Sequence, residues 1–186
     1  MLTKDALLSK LKKPRSKRWV EDLAADLLRE GFELSDLLSL THYHEKQTAF
    51  RSAWLLDTVV TYSVPQYVQQ IDLFIIYVRQ AKHQSCYRHY ARIFMYFTSA
   101  IADESVKQKI VETDMEPVVE QCFDWLIKPD VKVAVKACAV QTLFNMRYRY
   151  NWIAEELQNQ LQYLMKNGSP AIQATGRRLL HALTID

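Results

Sequence analysis

Apolar residues recur along this chain at helical spacing, and one stripe is written four times. Ala53, Ala91, Ala137 and Gly176 stand 38, 46 and 39 residues apart. Four positions before them come Ala49, Tyr87, Val133 and Ile172; three after come Leu56, Phe94, Val140 and Leu179; seven after come Val60, Thr98, Phe144 and Leu183. Offsets of this kind define one face of an α-helix. The intervals bracket the length of helix-pair units that stack into a solenoid, in which no unit buries its apolar face alone. A small residue at the helix contact lets neighbouring axes approach closely.

From residue 46 onward the pattern predicts two alternating kinds of helix. The A helices carry the repeated columns, at 46 to 62, 85 to 101, 130 to 147 and 170 to 184. The B helices lie between them, at 65 to 81, 116 to 128 and 151 to 166, with stripes such as Tyr67, Ile71, Phe74, Ile75 and Val78. Their ends are punctuated. Ser63 and Gln66 flank Pro65 as a capping box, and Pro117 opens the next B helix. Asp130 and Ser169 are suited to N-capping, and Asn167 with Gly168 marks a helix stop. The long interval is explained by a polar stretch from Asp103 to Glu112, enough for two extra helical turns. Residues 1 to 45 do not fit the columns. They predict three short helices, on Leu7 and Leu11, on Trp19 to Leu28 ending at Gly31, and on Leu34 to Thr41. This segment is expected to cap the stack, with residues 46 to 186 forming the repeats.

Composition narrows the picture. At 49% hydrophobic, the chain has material for one continuous core, and three Gly with five Pro supply too few turns for a many-stranded β fold. The expectation is an all-α, α-solenoid domain (an α-α superhelix) of three to four helix pairs. The longest apolar run, around Phe74 to Val78, is interrupted by Asp72 and Arg79 and falls far short of the roughly 20 residues a membrane helix needs. The N-terminus lacks the apolar core of a secretion signal, so a cytoplasmic protein without membrane contact is expected. Cys86, Cys122 and Cys138 are widely spaced and read as buried thiols, not as a disulfide framework or zinc site. No cofactor is implied.

The period, the paired helices, the Ala/Gly column and the segment from Phe50 to Leu56 resemble the HEAT-like repeat proteins of the armadillo superfamily, in particular small bacterial members. That resemblance implies an interaction platform whose groove is lined by the B helices. One enzymatic branch, the alkylpurine DNA glycosylases, uses Trp and Asp beside a basic groove, and Trp54 and Asp57 invite the comparison. The residues themselves favour packing for Trp54 and a surface acid near Arg51 for Asp57, since base excision needs more than one acid and one ring. His42 and His44, if helical, point about 200° apart and cannot share a metal. Tyr87, Arg88, His89, Tyr90 and Arg92, with Arg147 to Trp152, interleave cations and rings as single-strand binders do. Tyr87 nonetheless falls in a core column, and Arg88 and Arg92 read as an exposed stripe. The basic run Lys10, Lys12, Lys13, Arg15, Lys17 and Arg18 suits a solvated cap.

The net charge of +3 is small, but its distribution is uneven. The B helices carry acids and amides, including Glu116, Glu120, Asp124, Glu155 and Gln158. The A helices carry Arg51, Arg88, Arg92, Lys132, Lys136, Arg147, Arg177 and Arg178, with Arg149 just beyond one of them. An acidic, amide-rich B surface repels phosphate backbones and suits a basic or polar peptide. The leading expectation is a non-enzymatic protein-binding module using Glu116, Glu120, Asp124, Glu155 and Gln158, with Arg88, Arg92 and Arg149 as further contacts. The alternative is a nucleic-acid-binding or repair protein using the A-helix arginines.

Overall fold

The structure, a computed structural model, describes residues 1 to 13, 16 to 166 and 168 to 185. These fold into twelve helices without a strand among the described residues. They are α1 (Lys4–Leu11), α2 (Lys17–Glu30), α3 (Leu34–Leu40), α4 (Lys46–Tyr62), α5 (Val64–Val68), α6 (Ile71–Arg79), α7 (Gln84–Phe97), α8 (Glu104–Glu112), α9 (Glu116–Ile127), α10 (Val133–Met146), α11 (Trp152–Lys166) and α12 (Pro170–Ile185).

Two layers result. In one, α2, α4, α7, α10 and α12 follow each other side by side; in the other lie α3, α6, α9 and α11. The A helices of the sequence pattern are thus α4, α7, α10 and α12, and the B helices are α5 with α6, α9 and α11. In the N-terminal segment, α2 packs on α4, and α3 packs on α4 and α6. Within the A layer, α4, α7 and α10 pack most extensively on one another, while α3, α6 and α9 of the B layer touch more sparingly.

The small-residue column has the burial its role requires. Ala53 and Ala91 are fully buried, as are Leu56, Phe94 and Leu179 three positions on. A β-carbon on Gly176 would collide with the side chain of Met165, so glycine is what lets α12 close against α11. In α10 the face is turned. Val133 is exposed and Ala137 only partly covered, while Val135, Lys136, Ala139 and Leu143 point inward. Helix α10 is packed on both α7 and α9, so its buried face spans two directions. It begins at Val133 after Lys132, and Asp130 does not cap it but accepts a hydrogen bond from the Gln84 side chain.

Other boundaries also shift. The stretch from 65 to 81 is two helices, α5 and α6, parted by a turn at Gln69 and Gln70, and Ser63 makes no side-chain cap. The second A helix ends at Phe97, leaving Ile101 almost wholly exposed. Gly31 closes α2 with φ of 80°, a conformation open to glycine, and its carbonyl accepts from Leu2 N at 2.9 Å. Ser169 caps α12 through Ile172 N, while Asn167, paired with Gly168 in the expected helix stop, lies outside the described residues. The polar insertion forms α8, which packs on α5 and α7.

Candidate functional site

Two concave surfaces offer chemistry, one on each layer. On the B layer, α6, α9 and α11 frame an open groove of about 530 Å³. Helical spacing sets its lining. Glu120 and Asp124 are one turn apart on α9, Phe123 sits beside them, and Trp152 and Glu156 project from the first turns of α11. Phe123 and Trp152 pack ring on ring with centroids 5.4 Å apart. Trp152 stays 46% exposed and Ile127 60% exposed. An apolar floor is therefore open to solvent and rimmed by carboxylates. Those carboxylates are only loosely engaged: Glu120 is 3.9 Å from Arg79, Asp124 is 3.4 Å from Lys128, and all four side chains are more than half exposed. Exposed pairs of this kind contribute little energy and leave the acids available.

The expected contact residues are distributed as follows. Glu120 and Asp124 meet in this groove. Glu116 stands exposed at the start of α9, and Glu155 and Gln158 lie on α11 outside the lining, where Glu156 takes the place next to Trp152. Sequence reasoning named the acids but not the rings. Phe123 carried the signal of an apolar residue flanked by Glu120 and Asp124; Trp152 stood at a helix junction and was grouped with the basic cluster.

On the A layer the arginine expectations change most. Asp57 is not a surface acid near Arg51: it is 1% exposed and takes a hydrogen bond from His89 Nδ1 at 2.8 Å and an ion pair from Arg92 at 3.0 Å, both on Oδ2. Arg92 also donates to Tyr96 Oη at 2.7 Å, so Arg88 and Arg92 do not form one solvated stripe; Arg88 alone is exposed. Arg51 donates to the carbonyls of Leu11 and Lys12 at 3.0 and 3.1 Å, tying the end of α1 to α4. Lys136 is 8% exposed, its Nζ held 2.9 Å from the Leu126 carbonyl, and burial lowers its pKa. Arg147 lies over the rings of Phe144 and Tyr148. Arg178 donates to Gln141. Arg149 reaches back to the carbonyls of Ile110 and Thr113, satisfying the end of α8. These cations serve as structural ties. Lys132 and Arg177 remain exposed, and Arg15 of the basic run lies outside the described residues.

The second concavity lies here, a cleft of about 300 Å³ between α2, α4 and α7 lined by Trp54, Asp57, Thr58, Thr61 and Arg92. Trp54 is partly buried and packs on the Phe50 ring at 6.0 Å, so the packing role expected of it is one part of its position. Tyr87 packs against Trp125 at 5.7 Å, partly buried at the core edge. His42 gives its Nε2 to the Tyr77 carbonyl at 2.9 Å, and no group of three metal-ligating side chains is gathered among the described residues. Cys86 and Cys122 are buried and Cys138 partly so; burial pushes the Cys86 thiol up to about 11 and raises the other two. Thiols so protonated are poor nucleophiles.

A two-layer stack of helix pairs with an open groove is the architecture of a helical repeat protein. The chain matches the family model described as HEAT repeat domain over residues 7 to 183, and it belongs to that family. The match begins within α1 and so takes in most of the N-terminal segment. No curated protein and no solved structure matches the sequence. HEAT repeats are commonly protein-interaction scaffolds and typically non-enzymatic, and no helix among the described residues is long and apolar enough to cross a membrane.

Proposed function

We propose that this protein is a non-enzymatic interaction module that captures a basic, partly apolar peptide segment of another protein in the B-layer groove. The observation carrying this reading is the half-buried Phe123 ring against the exposed Trp152, bordered by Glu120, Asp124 and Glu156. Aromatic residues at the centre of a contact supply most of its energy, while surrounding charges select the partner and speed encounter. Three free thiols suit a reducing, cytoplasmic setting. Nucleic-acid binding has less support, because Arg51, Arg92, Lys136 and Arg178 are bonded within the chain.

The test uses a short fluorescein-labelled peptide rich in Lys and Leu, followed by anisotropy. Reversing both Glu120→Lys and Asp124→Lys is expected to weaken binding about tenfold or more and to flatten its salt dependence. Trp152→Ala is expected to weaken it without altering that dependence. Unchanged binding in both variants would remove the groove from consideration.

A further inference from the structure

The cleft on the opposite layer carries an independent feature. A carboxylate offers about four lone-pair positions, two on each oxygen. At Asp57, Oδ2 receives two donors, His89 Nδ1 and an Arg92 guanidinium nitrogen, whereas Oδ1 is buried with no partner. A buried acceptor left unpaired costs more than an ordinary hydrogen bond gains. The neighbouring hydroxyls are also acceptors with nothing left to give. Thr58 donates its proton to the Trp54 carbonyl at 2.9 Å, and Thr61 donates to the Asp57 carbonyl at 2.7 Å. Trp54 adds an indole to the same cleft. An unpaired anionic oxygen, two hydroxyl lone pairs and an aromatic ring call for a flat group with several N–H donors and positive charge, which can lie against a ring while hydrogen-bonding in its own plane.

We propose that the cleft of Trp54, Asp57 and Thr58 binds the guanidinium of an arginine side chain presented by a partner protein. Arg92 does not exclude it, since that cation is already committed to Oδ2 and to Tyr96. Lys17 at the rim is paired with Glu21 at 3.4 Å. Oδ1 is itself covered, so an incoming group reaches it by displacing the partly buried Trp54 side chain in the same cleft, while Arg92 keeps its bonds to Oδ2 and Tyr96. The site lies on α4 and α7, away from the α9 and α11 groove, and stands whether or not that groove binds peptide.

The full chain labelled with ¹⁵N would be titrated with N-acetylarginine amide while following the Trp54 indole N–H signal, assigned by its loss in Trp54→Phe. A saturable shift is expected, with N-acetylcitrulline amide binding about tenfold more weakly because its urea lacks the charge. Asp57→Asn is expected to abolish the shift, and Thr58→Val to weaken binding several-fold, with melting curves establishing that each variant is folded. If Asp57→Asn does not fold, Thr58→Val decides. No shift with the arginine amide, equal affinity in a folded Asp57→Asn or in Thr58→Val, or equal or tighter binding of adenosine monophosphate overturns the proposal; the last would make this a nucleotide cleft.

Discussion

Ala91 has no exposed surface on α7, the helix held between α4 and α10. A methyl group is all that this spacing admits. Ala91→Leu is therefore expected to destabilise the fold by about 1 to 3 kcal/mol, measured by urea denaturation, with helix content in the folded baseline unchanged. A second residue ties stability to pH. Burial, aided by Lys82 and His83, lowers the pKa of His42 below its ordinary value despite the opposing pull of the Tyr77 carbonyl. The unfolded chain thus holds that proton more tightly than the fold does. Stability from this group is complete above the unfolded value of about 6.5 and falls as pH drops through it toward the lower folded value. His42→Gln retains an N–H for Tyr77 and removes the titration. Its stability is expected to fall less between pH 7 and 5 than that of the unmodified chain, as read from melting temperatures. Asp57 marks the limit of reading single residues in order. Its partners lie 32 and 35 positions away on α7, and nothing in its own helix distinguishes a buried anchor from a surface acid.

At the level of helices, what the sequence encoded well was periodicity, and what it encoded poorly was rotation and termination. The faces of α4 and α7 follow the repeated columns, since their apolar positions are dense enough to leave one solution. In α10 the stripe is broad, with Val133, Val135, Ala137, Ala139 and Val140 spread around the helix, and the packing of α9 chooses among them. The long cations elude a sequence reading for a related reason. Their stems cover apolar surface while their heads travel far enough to reach a neighbouring helix end, so charge alone does not reveal a solvated face. Arg149 illustrates the effect at an element boundary. Arg149→Ala removes two donors from the carbonyls of Ile110 and Thr113 and is expected to cost about 1 to 3 kcal/mol, with faster hydrogen exchange confined to α8 and the turn after it. Arg149→Lys should recover little, because an ammonium lacks the fork that spans both oxygens.

For the whole molecule, the division of the chain at residue 45 is the organisational reading that invites direct testing. Leu23, Leu27, Leu37, Leu38 and Leu40 of α2 and α3 are buried in one continuous core with Ala49, Ala53 and Leu56 of α4. A fragment of residues 46 to 186 would expose that face of α4, and it is expected to melt without a cooperative transition and to bind a hydrophobic dye, as seen by circular dichroism and fluorescence. The candidate groove was half legible at this scale. Its acids follow from charge segregation between helix kinds, but its ring pair spans α9 and α11 and comes into being only when two units stack. Proteins made of like units also face a hazard, in that a unit of one copy can take the place of its counterpart in another. Here α8 wedges against α5 and α7 and makes that junction unlike the junction of α7 with α10 or of α10 with α12. A stretch of chain that arrives one unit out of step meets a surface of a different shape, and unlike junctions of this kind work against the exchange of parts between neighbouring molecules.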